Sequence, residues 1–275
     1  MNRNLNRLLR TVKDLQIEAA FRRDFWQSRV TGNSSKVVVC MTSYPERIQA
    51  AWLALESLFR QDETDIRIVL VLTKGQFPGG KLPRMLNKQI TKGLEIIWVQ
   101  EDGKSFDHLW PAYRKYPSSS IISVDDDKFY PENLVSGLVA ASRSMPGTII
   151  GSRGWEIRPI DGEVRFGDGW VRATPESIAK QLFMPPGNGS LYPPDSLPEM
   201  TGDSELMREL CPTADDVWYW AMARINETPS HCLGWSPHRP VWRQSRTKAL
   251  ADLDAGGDQF LAVLRGLELE IDVTG

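Results

Sequence analysis

The chain has 275 residues, 41% of them apolar and 25% charged, with a formal net charge of −2. That length supports a sizeable core in one large α/β domain with appendages, and the near-neutral charge balance excludes a general binder of nucleic acid. Three cysteines, Cys40, Cys211 and Cys232, show no CxxC or Cys/His spacing, so reduced thiols in a cytoplasmic setting are expected rather than a disulfide framework or a zinc site. No window reaches about 18 uninterrupted apolar residues and no short apolar leader opens the chain, so neither a membrane span nor secretion is expected.

In residues 1–30, Leu5, Leu8, Val12, Leu15 and Ala19 fall at helical spacing, and seven Lys or Arg stand against three Asp or Glu. A basic amphipathic helix of this kind packs on its own domain or a second subunit, or docks peripherally on anionic lipid. After the turn TGNSS, the apolar run KVVVCMTSY predicts a strand over 36–41 that is buried on both faces. Helices are then predicted at 50–61, 82–93 (ended by Gly93) and 131–144 (with Pro131 in its first turn), and strands at 66–73, 94–100, 120–124 and 147–152. This alternation predicts an open, mostly parallel Rossmann-type sheet flanked by helices over 31–152. Residues 153–212 break into short runs punctuated by Gly and Pro, the mark of a binding surface, and 153–245 completes the domain. A helix follows at 213–227 with Thr213 placed to cap it, and a last helix is expected in the 246–275 tail.

Three places carry residues suited to chemistry. The fourth strand runs straight into Asp125, Asp126 and Asp127, in IISVDDDKFYP. Adjacent carboxylates repel, so the triplet anticipates a positive partner, and ligands of open α/β sheets bind beyond the carboxyl ends of the strands. If the extended backbone persists, Asp125 and Asp127 share a face about 6–7 Å apart, a pair that can hold Mg²⁺ or Mn²⁺ together with the phosphates of a nucleotide. At the end of the first strand, TSYPERI offers the hydroxyls of Thr42 and Ser43 and the guanidinium of Arg47, groups that suit a nucleoside diphosphate, with Pro45 ending the strand. The third place is Asp215 and Asp216 at the start of the 213–227 helix, one carboxylate more than a helix N-terminus needs, so one is a candidate general base. The helix terminus is expected to lower that carboxylate's pKa and keep it ionised.

In this order, TSYPER, VDDDKFYP, GNGSLYPP and DDVW resemble the motifs of nucleotide-sugar-dependent glycosyltransferases of the A-type (GT-A) fold, in particular bacterial polysaccharide-assembly enzymes. The resemblance covers roughly residues 36–225. It implies transfer from a nucleoside-diphosphate sugar to a glycan or lipid-linked acceptor, with Mn²⁺ or Mg²⁺ as cofactor. It assigns Thr42, Ser43, Tyr44, Arg47, Asp102, Lys104, Asp125 and Asp126 to the donor, and Asp127 with Asp125 to the metal. Gly187, Asn188, Gly189, Tyr192 and Trp218 fall to the acceptor side, and Asp216 to the base, with Asp215 beside it. Many such enzymes add a late histidine to the metal; His231 and His238 are the candidates here, His238 taken first. A base on the acceptor side suits inversion. Metal-dependent nucleotidyl or phosphoryl transfer is the nearest enzymatic rival, since it too needs a metal-bound diphosphate at a sheet edge, and a sugar-binding subunit without turnover is the non-enzymatic one.

Overall fold

The computed structural model describes residues 3–28, 36–63, 65–177, 182–235, 239–240 and 256–271. In chain order the regular elements begin with α1 (Arg3–Arg23), β1 (Val37–Thr42), α2 (Ile48–Leu58), β2 (Arg67–Thr73), α3 (Arg84–Ile90) and β3 (Glu95–Val99). Next come α4 (Trp110–Lys115), β4 (Ser120–Val124), β5 (Lys128–Phe129), α5 (Leu134–Ser144), β6 (Ile149–Gly151), β7 (Trp155–Glu156), β8 (Val171–Arg172) and β9 (Leu182–Phe183). The chain continues with β10 (Asn188–Tyr192), α6 (Ser204–Leu210), α7 (Asp215–Ile225), β11 (Ser230–Cys232), β12 (Arg239–Pro240) and α8 (Gly256–Gly266). Every strand and helix expected before residue 153 is present within a few residues of its predicted bounds. Helix α3 is shorter than predicted because Gly93, at φ +103°, turns the chain into β3.

A seven-stranded sheet in the order β11-β6-β10-β4-β1-β2-β3 forms the centre. All neighbours pair in parallel except β10, which runs antiparallel between β4 and β6. Alternation along the buried strands divides two apolar layers. Val38, Cys40, Val69, Val71 and Ile121 face α4, α7 and α8, whereas Val39, Met41, Ile68, Leu70, Leu72 and Ile122 face α2, α3 and α5. Helix α2 is buried almost throughout, and truncating its fully buried Leu55 to alanine should cost about 2–5 kcal/mol. Small two- and three-stranded sheets, β12-β5 and β8-β7-β9, lie beside the main one.

Two local expectations change. Thr213 does not cap α7; the N-cap is Ala214, and the buried Gln259 of α8 instead fixes the chain just before the helix. Gln259 Oε1 accepts the N–H groups of Thr213 (2.9 Å) and Ala214 (3.0 Å) while its amide donates to Thr213 Oγ1 (2.7 Å). Strand β10 was expected as acceptor loop, yet it is a central strand, with a bulge between Asn188 and Ser190 where Gly189 takes φ +90°. No helix among the described residues is long and apolar enough to cross a membrane.

Candidate active site

The carboxyl ends of β1 and β4 lie side by side because the strands pair in register from Val37 with Ser120 to Cys40 with Ser123. Beyond them the chain turns: β4 stops at Val124, and Asp126 and Asp127 occupy a tight turn before β5. The extended continuation expected through the triplet is therefore absent. Arg47 reaches across with its fork, one nitrogen 2.9 Å from Asp126 Oδ1 and the other 2.6 Å from Asp127 Oδ2, and Ser43 Oγ donates to Asp126 Oδ2 at 2.6 Å. The TSYPER segment thus clasps the acid triplet through a bidentate, charge-assisted contact. The Thr42 hydroxyl donates to Val71 O in the sheet (3.0 Å), and Tyr44 lies 5.7 Å from the Arg47 guanidinium.

Asp125 points elsewhere. Its carboxylate pairs with Lys128, whose ammonium also donates to Asn188 Oδ1 at 2.6 Å. Its backbone N–H is held by Gly187 O (3.0 Å) and Tyr130 Oη (2.7 Å), and the Tyr130 hydroxyl in turn donates to Gly187 O (2.9 Å). Position 187 admits only glycine in this arrangement, since a Cβ there would lie 1.9 Å from Asp125 Oδ1. The first turn of α7 brings Asp215 and Asp216 to the same place. Asp215 Oδ2 is 3.3 Å from Nε2 of the buried His108, within ion-pair range though off the line of a hydrogen bond. The His108 ring stacks on Tyr219 at 5.7 Å, and the Tyr219 hydroxyl donates to Phe106 O (2.6 Å) and accepts the Trp110 N–H (3.1 Å), pinning the 3-10 turn Lys104–His108 against α7.

Five carboxylates thus lie near Arg47, Lys128 and His108, and burial is the largest influence on their titration. Burial would push Asp125 up, but Lys128 and His108 hold it below the ordinary carboxylate range. Burial raises Asp126 to about 6 against the pull of Arg47 and Ser43, and burial with the charge of Asp125 raises Asp127. Asp216 is raised well above its usual value by burial and by the charges of Asp215 and Asp125. The helix N-terminus does not keep it low, as expected from its position; desolvation and like charge dominate.

The structure brings Ser43, Arg47, Asp125, Asp126, Asp127, Gly187, Asn188, Asp215 and Asp216 together. Asp102 and Lys104 lie exposed past β3, where Asp102 accepts from Gln76 (2.8 Å) and from the Lys104 N–H (2.9 Å). Tyr192 and Trp218 are 2% and 0% exposed, and the Trp218 indole donates to Thr201 O (3.0 Å), so both are core residues rather than acceptor surface. Gly189 serves the β10 bulge. His231 lies in β11, and His238 falls outside the described residues. His108, Lys128 and Tyr130 went unread as site residues; Lys128 directly after three aspartates was the available signal.

No protein-family model and no curated protein matches the chain by sequence. Solved structures do match by shape. Staphylococcus aureus TarS 1-349 superposes with a TM-score of 0.51 at 14% identity, covering 84% of this chain and 72% of that one. Its complex with UDP-GlcNAc gives 0.50 at 13%, over 84% and 71%. The chain has the A-type glycosyltransferase fold. In this fold's terms, the half ending at β6 supplies the clasped triplet, and the half beyond it supplies β10 and the acids of α7.

A divalent cation suits these residues by chemistry. The available donors are carboxylate oxygens, which suit a hard divalent cation, and burial lifts four of the five acids, Asp126, Asp127, Asp215 and Asp216, despite their partners. Among the described residues no group of three or more His, Cys, Asp or Glu is placed to hold a metal ion. A site completed by waters and a diphosphate needs none.

Proposed function

We propose that this chain is a metal-dependent glycosyltransferase that moves a sugar from a nucleoside-diphosphate sugar to a hydroxyl of a glycan or lipid-linked acceptor, with inversion at the anomeric carbon. The observation that carries the reading is the convergence of two acid groups far apart in sequence. Asp125, at the end of β4, lies close enough to Asp216, at the start of α7, for its charge to help raise the Asp216 carboxyl. A transfer that separates charge at a diphosphate from proton removal at an acceptor needs such a pair of neighbouring but distinct sites.

Asp216 is assigned the base. As the acceptor oxygen bonds to the anomeric carbon, its proton passes to Asp216, and the bond from that carbon to the diphosphate breaks with the electron pair leaving on the diphosphate. A raised pKa strengthens this carboxylate as a base relative to an exposed aspartate. Asp215, held by His108, orients rather than accepts. Asp127 with Asp125 would hold Mn²⁺ or Mg²⁺, which supplies charge compensation to the departing diphosphate. Ser43, Tyr44 and Arg47 shape the donor side, and Asn188, steered by Lys128, stands towards the acceptor.

A thermal-shift screen of nucleotide sugars with and without Mn²⁺, beginning with UDP-GlcNAc because the TarS complex binds it, tests the proposal. A donor should raise Tm more with Mn²⁺ than without, and that donor should release its nucleoside diphosphate when an acceptor is present. Consumption of a free sugar 1-phosphate together with a nucleoside triphosphate would replace glycosyl transfer with nucleotidyl transfer.

A further inference from the structure

Helix α1 turns two different faces outward and inward, and the inward one is not the stripe that its sequence periodicity advertises. Ile17 and Phe21 pack on the α2 side of the core, and Phe25, just past the helix, is 2% exposed. Arg60 lies over the Phe21 ring at 4.7 Å, and the buried Lys92 donates to Phe25 O at 2.8 Å, so this end of the segment is anchored on the domain. Val12, Leu15 and Ala19 of the periodic row point the other way. Val12 is 42% exposed, Leu15 56% and Trp26 68%, with Ala19 exposed between them.

Val12, Leu15 and Ala19 fall on one side of the helix and Trp26 is exposed just past its end, and scattered exposed hydrophobes need no explanation whereas an aligned row does. The stripe is bordered by cations. Arg22 and Arg23 are 54% and 76% exposed while paired with Glu18 and Asp24, and Lys88 Nζ lies 5.8 Å from the Trp26 ring. Residues 1–30 carry seven Lys or Arg against three Asp or Glu while the whole chain is −2, so the positive charge is concentrated here and the rest of the molecule is acidic.

We infer that this face of α1 is a docking surface for an anionic lipid membrane, on which the helix lies in the interfacial plane with Val12, Leu15, Ala19 and Trp26 towards the acyl chains. The charge decides between occupants. Two copies of a strongly basic segment repel when brought face to face, whereas an anionic surface attracts both its cations and its apolar row. An exposed tryptophan beside lysine and arginine also suits the headgroup boundary, where its ring is buried and its N–H stays wet. The inference stands apart from the proposed catalysis, since it uses no residue of the acid recess.

Sedimentation of the full chain with vesicles tests it. Vesicles of equal parts phosphatidylglycerol and phosphatidylcholine should carry the protein down at low salt and release it as salt screens the attraction, and pure phosphatidylcholine should not bind it. Leu15→Asp with Trp26→Ser should weaken binding at least about tenfold. Its Tm should fall only slightly, because Leu15 and Trp26 are both mostly exposed and Trp26 gives up only its contacts with Phe25 and Lys88. Lys13→Gln with Arg23→Gln should weaken binding and flatten its salt dependence. Equal sedimentation of the Leu15→Asp/Trp26→Ser variant, or no sedimentation of the parent chain with anionic vesicles, would overturn the inference. A dimer in analytical ultracentrifugation that this same variant dissolves would assign the face to a second copy instead.

Discussion

Replacing Gly187 with alanine is the sharpest perturbation the recess offers, because it adds one methyl group and removes no functional atom. The new Cβ would stand 1.9 Å from Asp125 Oδ1, 2.5 Å from Cγ and 2.8 Å from Oδ2, whereas ordinary contact begins at 3.4 Å. Opening that gap requires the Asp125 carboxylate and the 187 backbone to separate by about 1.5 Å. The backbone resists, since Gly187 O accepts both the Asp125 N–H and the Tyr130 hydroxyl. Most of the movement therefore falls on the Asp125 side chain and on Lys128, its partner. Overpacking of this kind costs about 1–3 kcal/mol of stability, and a displacement near 1 Å in a positioned group costs about 10²-fold in rate. Gly187→Ala should thus lower kcat about a hundredfold while Tm falls only modestly, with kinetics measured on the donor found by thermal shift. Full turnover by a folded Gly187→Ala enzyme would mean that the Asp125 position is irrelevant to the chemistry. The catalytic reading of the recess would then fail.

Asp216→Asn should lower kcat by two or more orders of magnitude with donor affinity nearly unchanged, whereas Asp215→Asn should chiefly raise the acceptor KM; the reverse pattern in steady-state kinetics would exchange their roles. Because Asp216 must be ionised to accept a proton and its pKa is raised, kcat should rise with pH beyond the range where an ordinary aspartate has finished titrating; a profile flat above about pH 5 would argue against it. Asp127→Asn should remove the Mn²⁺-dependent part of donor stabilisation in thermal shift, and transfer undiminished in EDTA would end the metal assignment. Asp107, raised by burial to about 7, gives a stability test away from the reacting groups. A carboxyl whose folded pKa exceeds its unfolded value contributes stability that is fully present below about pH 4 and lost as pH rises through about 7, so Asp107→Asn should raise Tm at neutral and alkaline pH and leave it unchanged in acid.

The front of the sheet was legible because its strands are buried on both faces and must be written as continuous apolar runs; VVVCMT and IRIVLVLT admit little else. Strand β10 was illegible for the opposite reason. Asn188-Gly189-Ser190 opens it with a bulge, and prolines stand on both sides at 185, 186, 193 and 194, so local chemistry spells a loop while the strand is specified by its neighbours. The acids announced themselves through their crowding, and their assembly with TSYPER followed from strand ends meeting at one sheet edge. Their environment could not be read, because burial and the distance between Asp125 and Asp216 belong to tertiary structure, and these outweighed the helix dipole at Asp216. Trp218 misled through composition: a tryptophan two residues past the acids suggests sugar stacking, but it is fully buried and its indole donates to Thr201 O in the Glu199–Gly202 turn. His108 gave no pattern at all, since KSFDHLW is neither periodic nor a motif.

The antiparallel insertion of β10 has a consequence for how this molecule is made. During synthesis β4 and β6 emerge before the strand that lies between them in the finished sheet, since residues 188–192 follow both. Until residues 188–192 arrive, two apolar strand edges stand open, each a template for pairing with another chain. Folding that waits for so distant a segment is slow in proportion to the loop that must close. A fragment ending near residue 152 should therefore aggregate rather than persist as a small nucleotide-binding unit. In the intact chain, the same late segment that fills the slot between β4 and β6 delivers Gly187 and Asn188 to the acid triplet.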